Sequence, residues 1–120
     1  MDWFDRSDAR VFHLASVVLA ELLSGIARMP LGRRRRERQS YVDRALEEVF
    51  GNRILDFDRR AAEAYANLTA RAARNGRPIS VPDGQIGAIA AVHGFSVATR
   101  DTAPFIAMGL PVIDPWQPGA

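Results

Sequence analysis

The sequence predicts an α/β fold, a parallel sheet flanked by helices and built as one domain. Three observations carry that prediction. Short apolar runs of strand length alternate along the chain with longer segments whose apolar residues recur at helical spacing. The joins between them are brief and marked by Gly, Pro, Asn or Asp. A helix between successive strands is the crossover that parallel pairing requires. No internal repeat, low-complexity segment or linker interrupts the pattern.

The first element is a strand from Val11 to Ala15 (VFHLA), with Ser16 as the expected N-cap of the helix after it. That helix, residues 17–29, sets Leu19, Leu22, Leu23 and Ile26 on an apolar face. Glu21 lies to one side of that face, with Gly25 one turn on. A glycine at i+4 leaves room beside the carboxylate for a ligand or partner, whereas an isolated helix Glu is ordinarily just solvated. Pro30 and Gly32 make a turn. A second helix then runs from Arg33 to Phe50, with Val42, Ala45, Leu46 and Val49 as its apolar set. Gly51-Asn52 ends it, and Arg53 to Phe57 (RILDF) reads as the next strand. Asp58 caps a long helix to Asn75, with Ala61, Tyr65, Leu68 and Ala72 at i, i+4, i+7 and i+11. Asn75-Gly76 is its stop.

The stretch from Ser80 to Asp101 forms one loop, helix, strand and loop. Pro82 suits a first helical turn, where a missing N–H costs nothing. Ile86, Ile89, Ala90 and His93 follow at helical spacing, and Gly94 stops the run. Phe95 to Thr99 (FSVAT) is a short apolar strand of the kind a sheet buries on both faces. Asp83 at the helix start shares a side with Ile86 and Ala90, and Asp101 follows the strand directly. In an open parallel sheet, helix starts and strand carboxyl ends lie along one edge, where ligands bind. Two carboxylates are thereby aimed at one crevice. Each also has a plainer reading, as a helix-dipole partner or as turn chemistry. The last elements are a helical turn from Ala103 to Met108, a break at Gly109, and a strand from Leu110 to Ile113. Asp114-Pro115-Trp116 closes the chain, with Trp116 as packing cover.

Composition narrows the chemistry. At 120 residues, with 48% apolar and 25% charged side chains, the chain is long enough for a real core. It has no cysteine, which excludes thiol catalysis, disulfides and cysteine-ligated zinc. His13 and His93 are far apart and lack a zinc motif, and His93 reads as a cation-capable residue at a helix C-terminus. MDWFDRSDAR is no signal sequence, and the apolar run Val17 to Ala20 is too short to span a membrane, so a cytoplasmic protein is expected. Five of the 16 basic and one of the 14 acidic residues fall in 33–38 (RRRRER), which gives that segment +4 and leaves −2 elsewhere. Arg33, Arg34, Arg35 and Arg36 sit where the helix dipole disfavours cations. They read either as a solvated face or as a surface for RNA phosphates or an acidic partner.

Several stretches together resemble the PIN-domain ribonucleases, in particular the VapC-type toxins of bacterial type II toxin–antitoxin pairs. They are SVVLAELLSGIAR (16–28), RILDFD (53–58), GRPISVPD (76–83) with its helix, VATRD (97–101) and VIDPW (112–116). The resemblance covers nearly the whole chain. It implies a PIN-like parallel sheet flanked by helices over residues 1–120, cutting RNA with Mg²⁺ or Mn²⁺ held by acids. It carries Glu21, Asp83 and Asp101 to the metal-binding and catalytic positions, and gives Thr99 and Arg100 a role in positioning the last acid or substrate. It further implies a cognate antitoxin and a homodimer. Carboxylate oxygens are the donors such ions prefer, and the metal-bound water supplies the nucleophile without Ser, Cys or His.

One departure stands out. The family begins with a strand carrying L-D-T-N or L-D-T-S, central in the sheet, whose Asp is the first metal ligand. Here M-D-W-F-D matches the region just ahead of the second strand, and Asp2 and Asp5 lack a strand context. The first, central strand is therefore expected to be missing and the acid cluster incomplete. Two readings follow: a toxin whose first strand is encoded upstream, or an inactive remnant that binds only antitoxin or RNA. A response-regulator-like signalling domain is disfavoured, since it needs a lysine and this chain has none.

Overall fold

The computed structural model describes residues 12–114; Asp2, Asp5, Val11 and Trp116 lie outside the described residues. These residues fold as two compact units, 12–56 and 57–114. Together they hold four two-residue strands and five helices.

The first unit contains β1 (Leu14–Ala15), α1 (Ser16–Ala27), α2 (Arg33–Glu48) and β2 (Ile54–Leu55). The two strands pair in parallel, Leu14 opposite Ile54 and Ala15 opposite Leu55. Arg53 secures this pairing. Its carbonyl accepts from the Leu14 N–H at 2.9 Å, its Nε donates to the Phe12 carbonyl at 2.9 Å, and its Nη2 donates to the Val49 carbonyl at 3.3 Å. A guanidinium is thus placed on an otherwise unpaired carbonyl at the end of α2. Gly51 and Asn52, at φ 54° and 57°, make the left-handed turn between α2 and β2.

Two local expectations are corrected here. Ser16 is the first helical residue, and the N-cap position falls on Ala15, whose side chain has no acceptor to offer. The apolar face of α1 is only partly covered: Ile26 is buried, but Leu22 and Leu23 are 43% and 40% exposed. On α2, Val42 is the buried residue.

The second unit contains α3 (Arg59–Arg74), α4 (Val81–His93), β3 (Val97–Ala98), α5 (Ala103–Ala107) and β4 (Val112–Ile113). β3 and β4 are parallel, Val97 opposite Val112 and Ala98 opposite Ile113. Asp58 caps α3 as expected, its Oδ1 accepting from the Ala61 N–H at 3.0 Å. Gly94 ends α4 in the left-handed conformation at φ 69°, and the Phe95 N–H reaches back to the Ala90 carbonyl at 2.9 Å. The core gathers Ala72, Ala90, Val97, Phe105 and Met108, with Leu68, Ile79, Ile86, Leu110 and Val112 packed around it.

Close packing in this unit depends on small residues of α4. A Cβ built on Gly84 would lie 2.6 Å from the Tyr65 ring and 2.9 Å from Thr69 Cγ2. One on Gly87 would lie 2.7 Å from Met108 Cε. Ala88 is fully buried between them and Ile89. These glycines let α3 and α5 approach the helix backbone, so that most of one face of α4 is buried.

The parallel α/β class is borne out, with shorter strands than the apolar runs suggest. They form two sheets of two strands each, so every strand has one neighbour among the described residues. FSVAT is not buried on both faces: Val97 is buried, Thr99 is half-buried, and Phe95, Ser96 and Ala98 are exposed.

Candidate functional site

Asp83 is the best-defined of the candidate acids. Ser80 caps α4, its Oγ accepting from the Asp83 N–H at 3.3 Å, and Pro82 occupies the first turn. The backbone of Asp83 is therefore fixed from below by the cap and from above by the close-packed Gly84. Its side chain is half-buried. Yet its carboxylate makes no hydrogen bond or ion pair among the described residues. A half-buried charge beside a helix N-terminus gains from the dipole, but its lone pairs remain available to a ligand. The Ser80 cap is a feature the sequence reading missed. Its signal was present as a Ser three residues ahead of an acid, S-V-P-D, half of a capping box.

Asp101 lies just past β3 and is exposed. Thr99 defines its backbone: the Asp101 N–H donates to Thr99 Oγ1 at 3.1 Å, and the Thr99 hydroxyl lies 3.4 Å from the Asp101 carbonyl. Thr99 is thus a turn-former whose hydroxyl fixes the Asp101 backbone. Arg100, between them, is exposed and has an interaction partner. Asp83 and Asp101 both belong to the second unit, at a helix start and a strand end.

Glu21 belongs to the first unit, on the exposed side of α1. A Cβ on Gly25, one turn away, would meet nothing within 4 Å among the described residues. The carboxylates of Glu21 and Asp101, like that of Asp83, take part in no hydrogen bond or ion pair among the described residues. Among those residues no three His, Cys, Asp or Glu groups stand close enough together to hold a metal ion. The expected acids supply the right donor atoms for a hard cation, without forming a closed cage of their own.

The arginine run divides in two. Arg35 is half-buried and donates to the Met29 carbonyl at 3.3 Å, tying the start of α2 to the end of α1's turn. Arg33 pairs with Glu37 at 3.1 Å, with both side chains mostly in solvent. Arg34 and Arg36 are exposed and have no partner among the described residues. His93, at the end of α4, stacks on Phe95 at 5.6 Å. No helix among the described residues is long and apolar enough to cross a membrane.

The family model described as "PIN domain" matches residues 2–109. The chain is 42% identical over 116 residues to the VapC ribonuclease Y4jK of Sinorhizobium fredii, spanning 97% of this chain and 83% of that one. Among solved structures, the FitAB complex bound to a DNA fragment matches with a TM-score of 0.81 at 32% identity, covering 90% of this chain and 76% of that one. A member of the VapBC family of toxin–antitoxin systems from Mycobacterium tuberculosis, VapBC-5, matches with a TM-score of 0.68 at 27% identity, covering 84% and 78%.

Proposed function

The chain belongs to the PIN-domain family, and from that premise we propose that it is the ribonuclease toxin of a type II toxin–antitoxin pair, hydrolysing RNA phosphodiester bonds with Mg²⁺ or Mn²⁺ as cofactor. The observation that carries this reading is Asp83, a half-buried carboxylate that the fold fixes in place and leaves without a partner among the described residues. A structural Asp at a helix start is normally exposed, or engages its own cap. Support also comes from a 42% identical relative that is a VapC ribonuclease.

Asp83 and Asp101 would hold the ion, with Glu21 as the third acid. Mg²⁺ is commonly bound by one or two carboxylates and several waters, so a small protein donor set is compatible with it. When bound, such an ion lowers the pKa of a water and neutralises charge at phosphorus. The chain's own contribution is to leave these carboxylates without a partner among the described residues and to anchor two of them: Asp83 by the Ser80 cap, Asp101 by the Thr99 turn. Arg34 and Arg36 offer cations for RNA phosphates, which position substrate without reading its bases.

A cognate antitoxin is the expected protein partner, and the solved neighbour from a toxin–antitoxin system supports this. Leu22 and Leu23, half-open on α1, give such a partner apolar surface to cover. We also place the protein in the cytoplasm and read it as a homodimer. The test is cleavage of a defined RNA by the purified protein in Mg²⁺ or Mn²⁺, against EDTA. Glu21→Gln, Asp83→Asn and Asp101→Asn should each lose cleavage. Metal-independent cleavage, or full activity in all three variants, overturns the metal assignment. Absent cleavage with retained antitoxin binding would make the chain an inactive binder.

A further inference from the structure

Tyr65 brings a phenol hydroxyl to the start of α4 and gives it nothing to bond. A long side chain on a helix leans toward that helix's own N-terminus, so the Tyr65 ring points back along α3. Its neighbours agree with that direction. The ring stands edge-on to Phe57, just ahead of the Asp58 cap, with centroids 6.0 Å apart and planes at 86°. It also lies against Gly84 of α4, where a Cβ would come within 2.6 Å of Tyr65 Cε2 and 3.1 Å of Cδ2. Cε2 is the nearer of the two, and it adjoins the ring carbon that bears the hydroxyl. The phenol end of the ring therefore rests on the first turn of α4, at the residue that follows Asp83.

The ring is held, but its polar tip is free. Phe57 and the Gly84 backbone fix the ring's position. Thr69 donates its hydroxyl to the Tyr65 carbonyl at 2.7 Å and leaves the phenol alone. Tyr65 is half-buried, yet its hydroxyl has no hydrogen-bond partner among the described residues. No buried polar side-chain atom among those residues lacks a partner, so this hydroxyl opens to solvent. A buried Tyr O–H ordinarily finds a bond within the fold. Packing alone would be served by Phe at this position.

The neighbouring chemistry says what such a tip can take. An ionised carboxylate such as Asp83 only accepts hydrogen bonds, and so do the phosphate oxygens of RNA. A site made from acids and phosphates needs donors. An arginine here would pair with Asp83 and take up its lone pairs, whereas a phenol donates without bringing a cation. We infer that Tyr65 is an RNA-binding residue, its hydroxyl donating to a backbone phosphate oxygen of the strand held beside Asp83. The inference rests on the nuclease reading above. It adds to that site a side chain that helical periodicity assigns only to the apolar face of α3.

Tyr65→Phe tests this, because it removes the hydroxyl and keeps the ring. Fluorescence anisotropy of a labelled single-stranded RNA in Ca²⁺ should show about tenfold weaker binding than wild type. Cleavage of the same RNA in Mg²⁺ should show KM raised by a similar factor, with kcat little changed. The loss should be equal for oligoadenylate and oligouridylate, since a phosphate contact reads no base. The slope of affinity against salt should stay at the wild-type value, since a phenol is no cation and displaces no counterion. Thermal unfolding in EDTA should leave Tyr65→Phe at the wild-type midpoint, whereas Tyr65→Leu, which removes the edge-on ring, should lower it. Wild-type binding and cleavage in Tyr65→Phe would overturn the proposal and leave the nuclease reading standing. Weaker binding with a lowered midpoint would make the hydroxyl a structural group, and a loss confined to one base would assign it to base readout; either result refutes the phosphate contact. A wild-type chain that neither binds nor cuts RNA overturns the nuclease reading, and this inference with it.

Discussion

Replacing Asp83 by Asn separates a ligand-binding acid from a structural one, because the two roles predict opposite pairs of results. The substitution keeps the side chain's shape and removes its charge. The Ser80 cap survives, since it receives the backbone N–H of residue 83 and not the side chain. What is lost is the interaction of a first-turn carboxylate with the helix dipole, about 0.3–1 kcal/mol. What is gained is relief from holding a half-buried charge that has no hydrogen-bond donor among the described residues. These terms oppose each other, so the metal-free protein should change stability by less than about 1 kcal/mol in either direction. Ser80→Ala sets the scale, because it removes the cap itself and should cost about 1 kcal/mol. Cleavage should behave differently: a neutral amide is a far poorer donor to a hard cation than a carboxylate, and Asp83→Asn should abolish RNA hydrolysis. The assay is thermal unfolding in EDTA beside RNA cleavage in Mg²⁺, on wild type and both variants. Retained cleavage in Asp83→Asn, with a stability loss near that of Ser80→Ala, would show a helix-start residue and refute the site where it is best defined.

Two further outcomes follow from local geometry. Gly84→Ala should destabilise the protein by about 1–2 kcal/mol in urea unfolding. The new Cβ overlaps a Tyr65 ring that is itself held edge-on against Phe57 at 6.0 Å, and overpacking typically costs about 1–3 kcal/mol against a helix-propensity gain of up to about 1. Gly25→Ala, where a Cβ meets nothing, should instead stabilise by up to about 1 kcal/mol; equal effects at the two sites would contradict the packing described. Arg34→Gln with Arg36→Gln should weaken RNA binding alike for all sequences and flatten its salt dependence by about two phosphate contacts. An unchanged slope in filter binding would return these two side chains to the solvent.

What the sequence disclosed was set by how local the controlling physics is. Asp58, Asn75, Gly76 and Gly94 terminate helices through their own backbone and side-chain chemistry, and all four act where expected. The apolar stripe of α3 is likewise a matter of period: Ala61 and Ala72 are buried, with Tyr65 and Leu68 half-buried. Strand burial is not local. The composition of FSVAT predicts burial on both faces, whereas exposure there depends on how many neighbours β3 has, and it has β4 alone among the described residues. Leu22 and Leu23 fit a helical stripe, but a stripe says nothing of how wide a surface will cover it. Of the candidate site, the residue types and their places on helix start and strand end were legible. The Ser80 cap and the Thr99 turn were not read, although both are short-range.

The proposed role of Asp83 gives the small residues of α4 a purpose. A ligand-binding acid must be held to within a fraction of an ångström, which calls for a rigid support. α4 provides one by burying Gly84, Gly87, Ala88, Ile89 and Ala90 on consecutive turns. Two of these positions have no side chain to reorient, and the helix backbone lies directly against Tyr65, Thr69 and Met108. Bulkier residues would bury more apolar area per helix, but would hold the backbone farther from its neighbours and let its first turn shift. Because the acid is the residue immediately before Gly84, packing and chemistry meet at one peptide bond. A variant that disturbs that packing should therefore lose activity partly by misplacing Asp83, whereas Asp83→Asn loses the donor with the helix intact. That difference is what a metal titration of folded Gly84→Ala would reveal: weakened Mn²⁺ binding at full ligand count. Undiminished binding would mean that the first turn of α4 holds its place without the close contact beneath it.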